Sequence, residues 1–507
     1  MKRIGTILLS LLLCLAFCLT GCGLIEKEMT DEEERKAMEE LLETVDLNAG
    51  TDYEGTLKIM YQDIPSERKI MDAFLDAFSA KYPKITIERQ KVVESNYISL
   101  LQSKHSAAYY NKDFSQMPDV LWTTNEVMGG MMDRDMLMPI NYFDEKDENF
   151  SVDDTLVASM VADSKLGNNL YLMPRDYDQI VMYYNRDLLA KAGVEESEIP
   201  SDRPMTHDEF DSLMRKIRNY YKSLPSPDPS DPNDPNRNPE NERAYNQVRA
   251  LDAVLPWGSL CWPILKSYGG TVIAEDGSVN FNNDANVEAV TYMREMIKDE
   301  LVFSGTTKHS QFVNQMSVLC FETRAVLTDL IERGVAGTPG IAPENLGVAP
   351  MPNLGKDGSY AVGAGCSGYS MYRYATNPTA AWLFLKFIVS EEGQNAFSAT
   401  GNGVPVNESM LHSEDAVWRN LPEEFSKLTN FNHDAFVYAY DTAACTLQDF
   451  KLLIDVVKAR EPVSKEMTNC ISLCLNTRVD GYEQAIKDNI KNSATSMHGI
   501  IEGYRDR

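Results

Sequence analysis

Long apolar runs are almost absent from this 507-residue chain. Past residue 21 no stretch approaches the ~20 apolar residues that a bilayer-spanning helix needs, which excludes a polytopic membrane protein. Basic residues are also scarce, 48 Lys and Arg against 76 Asp and Glu, for a net charge of −28. Such a surface repels polyanions and excludes a nucleic-acid partner. Cysteine is sparse and dispersed: beyond Cys22 there are only Cys261, Cys320, Cys366, Cys445, Cys470 and Cys474, with no CxxC pair. A metal finger and a disulfide scaffold are therefore not expected, although Cys470 and Cys474 stand one helical turn apart and their redox state is open. The six histidines are isolated. No His-Glu-x-x-His, nucleophile elbow or glycine-rich phosphate loop with its lysine occurs, so neither a metal nor a cofactor is expected. No repeat of fixed period is present.

One apolar run does exist, at the start. Lys2 and Arg3 precede an apolar stretch at 7–19 broken only by Ser10, and Leu19-Thr20-Gly21-Cys22 follows. The pattern reads as a bacterial lipoprotein signal: residues 1–21 are removed and Cys22 becomes a lipidated first residue. The expected location is outside the cytoplasm, lipid-anchored to the cell membrane, as on the surface of a Gram-positive cell. A diacylated cysteine supplies the two chains that stable anchoring requires.

Residues 22–53 read as a charged tether. Thr30 and Glu33 make a capping box for a short helix with Met38, Leu41, Leu42 and Val45 on one face. Regular alternation begins near Thr56 with a strand at 57–61, a helix at 66–81 and a strand from 85. This strand, helix, strand order predicts a mostly parallel α/β sheet. Thr206 with Glu209 caps a helix at 206–224. The segment 224–243 holds Pro225, Pro227, Pro229, Pro232, Pro235 and Pro239 among Asp, Asn and Ser, and reads as an exposed, mobile insertion rather than a calcium loop. Past Glu408 the pattern is almost wholly helical. A mature chain of this length accommodates two lobes that each bury a core.

Four segments in one order carry a resemblance. They are Pro118-Asp119-Val120-Leu121-Trp122; Leu170-Tyr171-Leu172-Met173-Pro174 with Tyr183-Tyr184-Asn185-Arg186-Asp187; Trp262-Pro263-Ile264-Leu265 with Tyr268-Gly269-Gly270; and Gly347-Val348-Ala349-Pro350-Met351-Pro352 with Ala381-Trp382-Leu383-Phe384 and Gly401-Asn402-Gly403-Val404-Pro405. In order and spacing they resemble the extracellular solute-binding proteins of ABC importers, the carbohydrate-binding family that includes maltose-binding protein. The resemblance implies an α/β, two-lobed periplasmic-binding-protein-like type II fold with a hinge between the lobes. Lobe 1 would comprise 54–173 and 353–405, and lobe 2 would comprise 174–352 and 406–507 with the C-terminal helices. It further implies a receptor that captures a carbohydrate and delivers it to permease subunits, working as a monomer without cofactor.

Sugars present flat C–H faces rimmed by hydroxyls, so the search is for aromatic rings and polar side chains on strand-end loops. Trp122, Asn125 and Glu126 follow the Pro-Asp-Val strand; Trp122 is either a platform or core. Asp178, with Tyr177 beside it, matches a position where the family places an acid on its sugar. Of Trp257 and Trp262, one is expected to stack on ligand and the other to pack. Glu322 and Arg324 stand where maltose-binding protein has a tryptophan, and are either ligand contacts or an ion pair. Gly365 and Asp63 complete the candidates. Two other classes stay open, a peptide or polyamine receptor holding amines with its acids, and an extracellular glycosidase with paired carboxylates.

Overall fold

The structure, a computed structural model, describes residues 31–238, 243–305, 309–332, 340–356, 360–440, 444–445, 454, 456–477 and 481–506. The chain divides into two units, Met1–Asp46 and Leu47–Arg507. In the first, the expected tether helix is α1 (Asp31–Leu42); Thr30 and the signal segment lie outside the described residues.

The second unit opens with β1 (Gly55–Gln62), α2 (Pro65–Lys81), β2 (Ile85–Val92), α3 (Tyr97–Asn111) and β3 (Val120–Thr124). Pro65 at the first turn presets φ for α2, and its apolar stripe of Ile70, Phe74, Leu75 and Phe78 is buried. Strands β1, β2 and β3 run parallel. The chain then reaches β4 (Met173–Pro174), crosses through β5 (Asp178–Gln179) and enters β6 (Val181–Asn185) of a second sheet. There α4 (His207–Ser223), β7 (Arg249–Asp252), α5 (Gly258–Ser267), α6 (Asp284–Lys298), β8 (Val302–Phe303), β9 (Ser317–Glu322) and β10 (Leu346–Pro350) build lobe 2. A return crossing through β11 (Val362–Gly365) leads to β12 (Ser367–Met371), α7 (Pro378–Val389) and α8 (Glu391–Ser398) of lobe 1. Finally α9 (Arg460–Leu475) and α10 (Tyr482–Arg505) pack on α5 and α6 of lobe 2.

Lobe 1 is thus a five-stranded sheet in the order β2-β1-β3-β12-β4, and lobe 2 a five-stranded sheet in the order β8-β7-β9-β6-β10. The crossing strands β5 and β11 pair antiparallel, Gly365 with Asp178 and Ala364 with Gln179. The lobe 1 core is aromatic: Phe74 meets Tyr369 edge-on and Phe397 face-on, and Phe78 packs against Phe384 and Phe387. Trp382 is buried in it, its indole N–H donating to Asp147 at 2.8 Å. Trp418 is also fully buried and donates to the Met410 carbonyl.

Two expectations differ from what is observed. Between Glu408 and Val437 the chain makes only short turns, Glu408–Leu411, Glu423–Phe425 and His433–Val437, rather than continuous helix. Pro422 and the left-handed Asn430 break any helical run, while Trp418, Phe425, Phe431 and Phe436 are buried one by one. The segment at 406, expected to open the last part of lobe 2, pairs instead with lobe 1, since Val157 N–H donates to the Val406 carbonyl. The proline-rich segment is largely exposed through Arg237, but Asp228 and Asp234 hold it in turns by accepting from neighbouring backbone N–H groups. It is pinned at buried Asn238, which donates to the Gln315 carbonyl; residues 239–242 lie outside the described residues.

Candidate ligand-binding cleft

Between the lobes lies a cavity of about 650 Å³, inside the ~300–1,000 Å³ range of small-molecule sites. Its walls are strand ends and the crossing segments. Strand β3 is fixed from behind by buried Asp119, whose carboxylate accepts from the backbone N–H groups of Lys58, Thr376 and Asn377 at 2.7–3.0 Å. That anchor holds the end of β3 and the turn after it, so that Trp122, Thr124, Asn125 and Glu126 face the cavity. The half-buried Trp122 ring stands edge-on to Tyr97, centroids 5.6 Å apart, and Tyr97 donates its hydroxyl to the Trp122 carbonyl at 2.8 Å. The Trp122 Nε1 has no hydrogen-bond partner among the described residues, leaving a donor at the cavity wall.

The crossing strands form the floor, with Asp178, Ile180 and residues 363–367 facing the space. Glycine is required at 363 by close approach, and 365 is tight. A Cβ on Gly363 would sit 1.8 Å from the Ser259 carbonyl, and one on Gly365 would meet the Asn125 amide at 3.2 Å.

Beneath the floor is a polar knot that sequence reading missed. Arg175 donates from Nη1 to Glu67 Oε1 and to the Tyr369 hydroxyl, each at 2.8 Å, and from Nε to Asp176 at 3.3 Å. Tyr369 donates in turn to Glu67 at 2.8 Å, and Asp176 accepts from Ser367 N–H at 2.7 Å. Burial opposes the Arg175 charge, but Glu67, Tyr369 and Asp176 outweigh it and push its pKa up. Glu67 and Arg175 lie 108 positions apart, and no local pattern links them.

On the lobe 2 side, His309 faces Glu322 at 3.3 Å. Burial works against the imidazolium, yet the Glu322 hydrogen bond and charge prevail and raise its pKa. Asp329 and Glu94 add carboxylates to the lining. Across the cleft, Glu126 Oε1 of lobe 1 accepts from Trp257 Nε1 at 2.6 Å and from Ser259 Oγ at 2.9 Å of lobe 2.

The structure brings Trp122, Asn125, Glu126, Asp178, Trp257, Glu322 and Gly365 together at this cavity. It places four other candidates elsewhere. Asp63 is paired with Arg68 at 2.9 Å and does not line the space. Tyr177 is fully buried, its hydroxyl donating to Gln179 and its ring against Tyr440. Trp262 is 4% exposed, one turn into α5 within the lobe 2 core; of the tryptophan pair, Trp257 reaches the cavity and Trp262 packs. Arg324 is wholly buried and turned away: Nε donates to the Gly401 carbonyl, Nη2 to the Trp418 carbonyl, and Nη1 meets His433. Burial pushes its pKa down to about 10. The neighbours Thr323 and Ala325 do face the cavity. Arg324 and Glu322 do not pair with each other; His309 is the partner of Glu322.

The arrangement offers indole surfaces with a free N–H beside carboxylates and amides, and its cations, Arg175 and His309, are engaged by acids. It can hold hydroxyls and C–H faces. Among the described residues no His/Cys/Asp/Glu grouping could hold a metal ion.

Comparisons with known proteins agree with the architecture. Residues 73–425 match the family model described as bacterial extracellular solute-binding protein. The maltodextrin-binding protein MdxE of Bacillus subtilis is 23% identical over 387 residues, covering 74% of this chain and 77% of that protein. The GacH receptor of Streptomyces glaucescens, solved unliganded and with acarbose, superposes with a TM-score of 0.64 at 16% identity, covering 89% of this chain and 99% of its own. UgpB of Mycobacterium tuberculosis in complex with glycerophosphocholine superposes at 0.65 with 14% identity, over 89% and 99% of the two chains.

Proposed function

The chain belongs to the bacterial extracellular solute-binding proteins, and on that premise we propose that it captures an oligosaccharide in the interlobe cleft and presents it to the permease of an ABC importer. The family is one of binding proteins, which sets the glycosidase alternative aside. The observation that carries the carbohydrate reading is the cavity lining: Trp122 and Trp257 rings among Asn125, Glu126, Asp178 and Glu322 in a space of about 650 Å³. Aromatic faces take the apolar side of a pyranose and the polar groups take its hydroxyls. The sugar-binding relatives MdxE and GacH support the same reading.

The surplus of acids over cations in the lining favours one second reading, a receptor for a polyamine or peptide amine. In either case the chain works outside the cytoplasm. No described helix is long and apolar enough to cross a membrane; the proposed attachment is through lipid on Cys22, and the proposed functional unit is a monomer that docks on its permease. Ligand-induced melting shifts across neutral oligosaccharides and polyamines separate the readings, because a ligand that binds only the folded state stabilises it. A shift with a neutral glycan that Asp178→Ala abolishes, with the unliganded melting point unchanged, supports the carbohydrate receptor. Shifts with polyamines alone overturn it.

A further inference from the structure

Glu126 and Trp257 line two spaces, not one. The second is a more open space of about 310 Å³, lined also by Pro256 and Gly258 and by Glu461, Ser464, Lys465 and Thr468 of α9. The hydrogen bonds from Trp257 and Ser259 to a single carboxylate oxygen therefore stand where the two linings meet. A charge-assisted bond of 2.6 Å is at the strong end for a neutral N–H donor, and it joins residues 131 positions apart on opposite lobes.

We propose that this contact is a gate on ligand length. Shut, it confines a short oligosaccharide to the main cavity. Open, it joins that cavity to the chamber under α9, where Ser464, Thr468 and Lys465 meet the hydroxyls of a longer chain. A sugar hydroxyl threading the gate donates to Glu126 in place of the indole N–H, so the carboxylate stays paired while the Trp257 N–H is released; an apolar chain cannot do this. The inference rests on the carbohydrate reading and adds to it a second binding chamber and the residues that close it.

The decisive variant is Trp257→Phe, which keeps an aromatic face and deletes the N–H. Calorimetry with maltose, maltotriose and maltoheptaose as probes is expected to show the maltoheptaose-to-maltotriose affinity ratio rising about tenfold over wild type, the loss expected from one hydrogen bond to a charged group. Thr468→Val is expected to weaken maltoheptaose and leave maltotriose unchanged. Small-angle scattering of the unliganded proteins gives a separate readout, in which Trp257→Phe widens the radius of gyration. An unchanged length ratio overturns the gate; if it comes with an equal loss at every length, it marks the Trp257 N–H as an ordinary ligand contact. If no glycan of any length binds wild type, the carbohydrate reading fails and the gate on length with it, whereas a scattering change would still show that the contact holds the lobes together.

Discussion

At the scale of single residues, position relative to a strand end decides between binding and structure. Trp122 lies within β3 and Arg324 two residues past β9, yet one opens on the cavity and the other is turned into lobe 2. Trp122→Ala is expected to weaken ligand binding by about tenfold or more, since an aromatic face contributes on the order of 1 kcal/mol beyond its area. Arg324→Met is expected to act oppositely: removing its guanidinium orphans the Gly401 and Trp418 carbonyls and costs about 3 kcal/mol of stability, read as a lower melting point with ligand affinity retained. Of the cleft, the turn at Trp122 to Glu126, Asp178 and Trp257 were legible because rings and acids at strand-end loops have few purely structural uses. Arg175, Glu67 and His309 were not. Their roles depend on partners brought together by the sheet order, and Arg175 in particular looks in sequence like any surface arginine after a proline.

At the scale of elements, caps were the most readable signals. Thr206 Oγ1 accepts from Glu209 N–H at 3.3 Å while Glu209 accepts from Thr206 N–H at 2.8 Å, so the foreseen capping box closes and α4 starts where expected. Thr206→Ala is expected to cost about 1 kcal/mol, seen as faster amide exchange in the first turn of α4. The hydrogen bonds from Arg203, then the Thr206 N–H, hold Glu209 down at about 2. Because that is below its ordinary value, whatever the box contributes is present above about pH 4.5 and fades as pH falls toward 2. Strands β4 and β5 defeated element-level reading as exact units. Each is two residues long, too short for any periodicity, and each exists only because β12 or β11 arrives from nearly two hundred positions away.

At the scale of the whole second unit, the two sheets and the antiparallel crossing strands follow from alternation and motif order, whereas the seam between the lobes did not. There Asp133 of lobe 1 and Glu461, Lys458 and Arg460 of lobe 2 wall one small space beside the cleft. Burial, then the charge of Glu461, raises the Asp133 pKa to about 6, against a smaller lowering by Arg134. An apposed seam therefore binds a proton that a solvated, opened seam releases, and closure is favoured as pH falls from 7 through 6 toward the ordinary carboxylate range. Ligand affinity is expected to rise over that interval, and Asp133→Asn to flatten the rise; calorimetry on both sides of pH 6 measures it.

Strands β5 and β11 have one more consequence, a mechanical one. Asp178 and Gly365 are paired to each other and also face the cavity, so the axle of the molecule is part of the wall that grips its cargo. During closure, groups near this fulcrum travel least and groups farthest from it sweep the longest arc. Cargo seated against the floor is thus met first by parts that hardly move, and the lever arm applies the remaining grip from the outside inward, as the jaws of a nutcracker do. Stiffening the axle should accordingly slow both capture and release while changing their ratio little.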